Sequence, residues 1–361
     1  MNPIFAVIDL GTLPGGTMSK AHALNSRDQV VGMGGYPGNG FLWAAWLWQE
    51  GRLSALSMPN EGLAGVAEHI NNQGQIIGQS YQLIGDHSGN DADEGGLKAL
   101  SVGQGVMRLG NKGSARFLPF LMRDERAEFF LHPDAGQVFL RAINNKGHII
   151  GWIDTFHQVQ PNQPPRKTRK SFLWSDGKLT DIMASDGGKF QAYDLNDMGQ
   201  IVGTANSPDG NHASHAWLWQ NGRMSDLGTL GRYSIPLAIN AAGQVVGESA
   251  SDEQKREDDN PVHGFLWENG TMINLDGTSE TRESRPLAIN AHGQIVGQLD
   301  IEDGPFCGFL WQDGKMHDLN ELVDPASGWK ISKAVDINDR GQIACNGERD
   351  SVSHGLLLTP L

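Results

Sequence analysis

One ten-residue segment recurs seven times along the 361 residues, and no other feature limits the fold as strongly. It reads ALNSRDQVVG from Ala23, HINNQGQIIG from His69, AINNKGHIIG from Ala142 and DLNDMGQIVG from Asp194. The remaining copies are AINAAGQVVG from Ala238, AINAHGQIVG from Ala288 and DINDRGQIAC from Asp336. Their asparagines are Asn25, Asn71, Asn144, Asn196, Asn240, Asn290 and Asn338, spaced by 46, 73, 52, 44, 50 and 48 residues, so one interval carries an insertion. A second segment follows: AAWLWQEGRLSAL from Ala44, KSFLWSDGKLTDI from Lys170, HAWLWQNGRMSDL from His215, HGFLWENGTMINL from His263 and CGFLWQDGKMHDL from Cys307. In the second unit the corresponding copy is degraded to KALSVGQGVMRL from Lys98.

Each unit reads as four short strands, a to d. Strand a ends at the asparagine, N-x-x-G turns the chain into b, and a two-residue x-G hairpin joins c to d. Four antiparallel strands with two apolar faces must stack on neighbours to be stable, which describes the blade of a β-propeller. The chain ends favour a ring over an open solenoid. The last unit stops at HGLLLTPL, after strand c, and IFAVIDLGTL from Ile4 matches the strand-d segment RMSDLGTL from Arg223. The expectation is an all-β, seven-bladed β-propeller, closed by the N-terminal strand completing the last blade, which removes two exposed sheet edges. The blades span 19–56, 64–109, 137–182, 190–229, 234–275, 284–319 and 331–361 plus 4–10, with an inserted hairpin at 110–136.

These segments resemble the HAF repeat family, bacterial proteins described as extracellular repeats. HAFLW-like, DLGTL-like and IN-x-x-G-Q-I-V-G segments carry the resemblance over nearly the whole chain, and DLNELVDPASGW from Asp318 resembles that family's terminal linker. The resemblance implies a propeller-like fold and secretion. It implies no catalytic residues.

Composition excludes some roles. A net charge of −14 speaks against a nucleic-acid partner, and the basic run Arg166 to Lys170 reads as a solvated loop. No stretch reaches the roughly 18 apolar residues of a membrane helix. The first residues do not read as a signal peptide, so a native start at Met1 implies a cytoplasmic protein, whereas the family resemblance implies export. Two cysteines, Cys307 and Cys345, indicate no disulfide framework.

The a–b and c–d turns are uniform and share one face; the b–c and d–a loops vary and share the other, where recognition is expected. Counting three back from each asparagine along strand a places His22, Glu68, Arg141 and Tyr193 at the channel mouth, followed by Leu237, Leu287 and Val335. Counting five back adds Lys20, Arg285 and Lys333, a cationic bias that suits an anionic ligand. A second candidate surface is aromatic: Tyr36, Phe41 and Trp43 on a loop of blade 1, and Phe120, Met122, Phe129 and Leu131 on the inserted hairpin. Acidic loops from His87 and Ser251 miss the EF-hand spacing. His215, His263 and His354 share one repeat position and lie too far apart for a common zinc ion, so they read as structural. No metal or cofactor motif is present. The reading is a binding propeller for a protein, a glycan or another anionic ligand. The alternative is a glycoside hydrolase or lyase using Glu68, His22 and Tyr193.

Overall fold

The computed structural model describes residues 4–35, 43–58, 64–84, 99–103, 106–109, 113–124, 126–129, 137–157, 166–183, 189–207, 214–251, 261–277, 282–301 and 304–361. Among them, seven antiparallel sheets follow one another as the blades of a β-propeller, six of them with four strands. The first blade runs Ser19–Leu24, Val30–Gly35, Trp43–Gln49 and Arg52–Ala55 in spatial order. The last takes its outer strand, Phe5–Asp9, from the other end of the chain. That strand pairs antiparallel with Val352–Pro360, Phe5 opposite Pro360 and Asp9 opposite Leu356. The ring is therefore closed.

Local chemistry explains why each copy folds alike. The c–d turns carry paired positive φ angles, 51° at Asn221 and 79° at Gly222, as the two-residue I′ hairpin requires. On strand b a glycine is forced by crowding: a side chain on Gly32 would collide with the Lys20 carbonyl on one side and the Trp46 indole on the other. Gly78 stands in the same relation to Val66 and Phe120.

The repeated asparagine does more than turn the chain. Each side-chain amide donates to the main-chain carbonyl of the next blade's asparagine at 2.9–3.1 Å, from Asn25 round to Asn338 and back to Asn25. Its Oδ1 meanwhile accepts two backbone N–H groups of its own turn, as at Asn71 from Gln73 and Gln75. Seven buried asparagines thus form an unbroken hydrogen-bonded belt around the axis.

Histidines at the start of strand c pair within their own blade. His215 meets Asp226 at 3.0 Å, His263 meets Asp276 at 3.0 Å, and His354 meets Asp9 at 2.7 Å. Asp9 belongs to the closing strand, so this last pair clasps the two ends of the chain. Cys307 and Cys345 are buried and unbridged.

Blade 2 departs from the expected layout. Its strand c is Gly113–Arg123 and its strand d is Arg126–Phe129, within the stretch expected to be an insertion. The added hairpin is instead Ala99–Gly103 with Val106–Leu109, which pairs onto the start of that strand c. Phe120 and Met122 are consequently 0% and 5% exposed. Met122 lies opposite Ile76, as Trp174 lies opposite Ile149 and Trp267 opposite Val245, so it fills the tryptophan position of the repeat. They are core residues, not partner surface. Phe129 lies opposite Phe120 in the pairing, Trp43 begins strand c of blade 1 half-buried, and Tyr36, Phe41 and Leu131 lie outside the described residues. The basic run is not a loop either: it opens strand c of blade 3, Arg166–Ser175, where Arg169 grips the buried Asp154 carboxylate at 2.7 and 2.9 Å. The acidic stretch from His87 and residues 252–260 of the other lie outside the described residues.

Candidate functional site

The seven strands a line the axis, each running from the variable face down to its belt asparagine. His22, Glu68, Arg141, Tyr193, Leu237, Leu287 and Val335, three residues before each asparagine, line one cavity of about 280 Å³ at the mouth. His22 directs Nδ1 to the Ala67 carbonyl at 3.0 Å and stands 3.8 Å from the Glu68 carboxylate. The imidazole and Glu68 are thus not hydrogen-bonded to each other. Burial lowers the His22 pKa against the raising pull of Glu68, so the ring is neutral at physiological pH. Across the mouth, the Arg141 guanidinium lies over the Tyr193 ring at 5.8 Å, and Gln191 lies 3.3 Å from the Tyr193 hydroxyl.

Lys20, Arg285 and Lys333, five residues before their asparagines, come from blades 1, 6 and 7, which ring closure makes neighbours. Arg285 is paired with Glu248 at 3.1 Å. Lys20 and Lys333 make no ion pair among the described residues and line a common cavity. Burial lowers the Lys333 pKa, and the Arg285 and Lys20 charges lower it further. Two unpaired ammonium groups beside a guanidinium, in a chain of net charge −14, form a local field that favours an anion.

Sequence reasoning missed the floor of this mouth. His69, Asp194 and Asp336, two residues before their asparagines, line both the mouth cavity and a second one of about 260 Å³ beneath it. Strict alternation would turn this position away from the axis. A bulge in each strand a, between Ala67 and His69 in blade 2 for example, shifts the register and brings both positions inward. A signal was present, since the column two before the asparagine reads Ala, His, Ala, Asp, Ala, Ala, Asp. Each aspartate also ties two blades together. Asp194 accepts from Leu195 at 2.8 Å and Ile239 at 2.9 Å, and Asp336 from Ile337 at 2.8 Å and Leu24 at 2.7 Å.

Desolvation inside the channel raises Asp194 to about 6 and Asp336 to about 7, outweighing the backbone N–H groups that favour the charged form. The same desolvation lowers His69 to about 4. A carboxyl whose pKa is higher folded than unfolded contributes stability that is complete below the unfolded value and lost as pH rises through the folded one. Between about pH 4 and pH 7 the protein therefore loses stability through Asp336. His69, with its lowered pKa, works in the opposite sense between about pH 4 and 6.5, in the wild type and in Asp336→Asn alike. Denaturant titrations should therefore show stability rising less, or falling more, with pH in the wild type than in Asp336→Asn. Parallel profiles would contradict the raised pKa.

A larger cavity of about 1110 Å³ runs outward from the mouth over blades 6, 7 and 1, sharing His22, Lys333 and Val335 with it. Its outer wall comes from the linker Asp318 to Trp329, which folds as a helical turn, Leu319–Leu322, capped by Asp318, and a 3-10 turn, Pro325–Ser327. Asn320 locks the linker to the next strand, accepting from Ile331 N–H at 2.7 Å and donating to its carbonyl at 3.0 Å. Trp329 is buried beneath the Arg349 guanidinium, 4.4 Å from its ring, while Phe306 opposite is 54% exposed.

No family model matches the chain, and no curated protein sequence matches it. Solved structures do. The propeller domain of the Trilobed protease from Pyrococcus furiosus superposes with a TM-score of 0.54 at 12% identity, over 87% of this chain and 83% of that one. That domain is described as having an open velcro topology, whereas Phe5–Asp9 closes the ring here. Pyrococcus horikoshii acylaminoacyl peptidase matches at 0.54 and 13% identity, over 94% of this chain and 51% of its own. A puromycin-hydrolyzing peptidase of Mycobacterium tuberculosis matches at 0.54 and 11%, over 97% and 55%. The chain spans about half the length of these peptidases. At such identities the likeness establishes the β-propeller fold.

Proposed function

We propose that this chain is a binding propeller that holds an anionic ligand at the mouth of its channel. The observation that supports the reading is the pair of lysines without an ion-pair partner among the described residues, Lys20 and Lys333, which line one cavity, with the Arg285 and Lys20 charges acting on Lys333. Cations placed so close repel one another, and an anion between them relieves the repulsion. The acid–base alternative draws no comparable support, because His22 spends Nδ1 on a backbone carbonyl and not on Glu68. The HAF resemblance and a protein or glycan as the natural ligand belong to the same proposal.

Calorimetric titration with acetate, succinate and citrate at pH 7 and low salt tests it. Citrate should bind, and the Lys20→Ala/Lys333→Ala double variant should bind it about 10-fold or more weakly, for roughly 1 kcal/mol per lost charge contact. Raising the salt should weaken the wild type more than the variant. Equal citrate affinities would overturn the reading.

A further inference from the structure

Four features of the mouth and its groove narrow the class of ligand. The groove is continuous with the mouth, and its volume of about 1110 Å³ exceeds what a single small carboxylate fills. Its excess of positive charge lies at the inner end, at Lys20 and Lys333. Farther out, Lys330 is offset in charge by the carboxylates of Glu348, opposite it in the strand pairing, and Asp318, and apolar residues line the wall, among them Ile301, Pro305 and Phe306. The lining also carries Gln298, Ser332 and Ser353, side chains that hydrogen-bond to amides.

Beneath the cations the sign of the channel reverses. Asp194 and Asp336 floor the mouth, and Asp197 and Asp339 line the cavity below. An anion drawn in by the lysines is therefore stopped at the mouth, so the charge it presents lies at the end of the molecule. The rest of that molecule extends outward along an apolar groove dotted with amide-bonding groups.

We infer that the occupant is the C-terminal end of a polypeptide, its terminal carboxylate between Lys20 and Lys333 and its last apolar side chains against Phe306 and the groove wall. This rests on the reading above that the mouth takes an anion. A fatty carboxylate would leave the polar groups of the groove unanswered, and a polyanionic chain would need unmatched cations along its length.

The test is fluorescence anisotropy with N-terminally labelled hexapeptide pools, scanned at the last two positions and synthesised as free acids and as C-terminal amides. Free-acid pools ending in Leu, Ile, Val or Phe should bind at least 10-fold tighter than their amides. In Lys20→Ala/Lys333→Ala the acids should fall to the level of the amides, with the amides unchanged. Phe306→Ala, at an exposed position whose loss leaves the fold intact by circular dichroism, should weaken the apolar-ended acids about 5-fold or more while leaving citrate affinity unchanged. Acids and amides of equal affinity would sink the inference, as would decanoate binding where no peptide pool does. If citrate binds and no pool binds, the peptide inference fails and the anion site stands. If neither binds, both fail.

Discussion

Replacing Asn71 with alanine is expected to destabilise the protein by roughly 3–5 kcal/mol, whereas the same change at the adjacent Asn72 should cost less than about 1 kcal/mol. Asn71 is 3% exposed and makes four hydrogen bonds. Its amide donates to the Asn144 carbonyl at 2.9 Å and to the Gln75 side chain at 2.7 Å, and its Oδ1 accepts from Gln73 and Gln75. Alanine leaves the Gln73 and Gln75 backbone N–H groups without their acceptor and reduces the Asn144 carbonyl to its bond from Gly147 N–H, which interrupts the belt between blades 2 and 3. Asn72 accepts one bond, from Ser26 N–H at 2.8 Å, at an exposed site where water can substitute. Asn71→Asp separates the two roles of the side chain. It keeps the acceptor but turns a carboxylate towards two oxygens, so it should be as harmful as alanine at pH 7. Denaturant midpoints of the three variants decide the matter. An Asn71→Ala protein as stable as the wild type would mean that the belt does not hold the ring.

Removing residues 1–10 should have a still larger effect, because it opens the ring. The closing strand exchanges backbone bonds across the seam, including Leu361 N–H to the Ile4 carbonyl at 3.0 Å and Leu10 N–H to the Gly355 carbonyl at 3.1 Å. Phe5 and Leu10 are buried at 6% and 3%, each contributing about 2 kcal/mol of apolar burial. Asp9 adds the His354 pair and a contact to Arg349 at 3.5 Å. Without this strand the Val352–Pro360 edge, whose Leu356, Leu357 and Leu358 are fully or almost fully buried, becomes a template for other chains. Size-exclusion chromatography should show the truncated protein eluting earlier than the wild type or as aggregate, and a synthetic peptide of residues 1–13 should restore the wild-type peak. Asp9→Ala, which keeps the backbone pairing, should elute as the wild type does, with a lowered thermal midpoint. A truncated protein with the wild-type elution and midpoint would show that the seam is dispensable.

The blade was legible because its determinants are local and repeat. Within the repeated segment the belt asparagine, the turn glycine three residues on and the strand-b glycine seven residues on recur at constant offsets, so seven imperfect copies reinforce one another. Legibility failed where one copy drifted. In blade 2 the tryptophan of the repeat became Met122, while the sequence from Lys98 carries a Q-G pair and a terminal R-L that mimic the strand c and d segment. Only packing separates the two, because Phe120 fits against Gly78. His69, Asp194 and Asp336 were passed over for a different reason: alternation assigns inward positions, and a bulge, which needs the partner strand to define it, displaced that alternation.

From the order of its residues alone, this chain determined the strands outside blade 2, the repeated turns, the count of seven and the complementary ends that close them, since each depends on neighbours a few positions away or on a period. The tertiary structure decided what those ends bring together. Lys20 and Lys333 stand at opposite ends of the chain and share one cavity because the ring sets blade 1 against blade 7. The reversal of charge down the channel likewise exists only once seven bulged strands face one axis. Through-space juxtaposition has no period along the chain, and so the repeat that announced the fold was silent about the site.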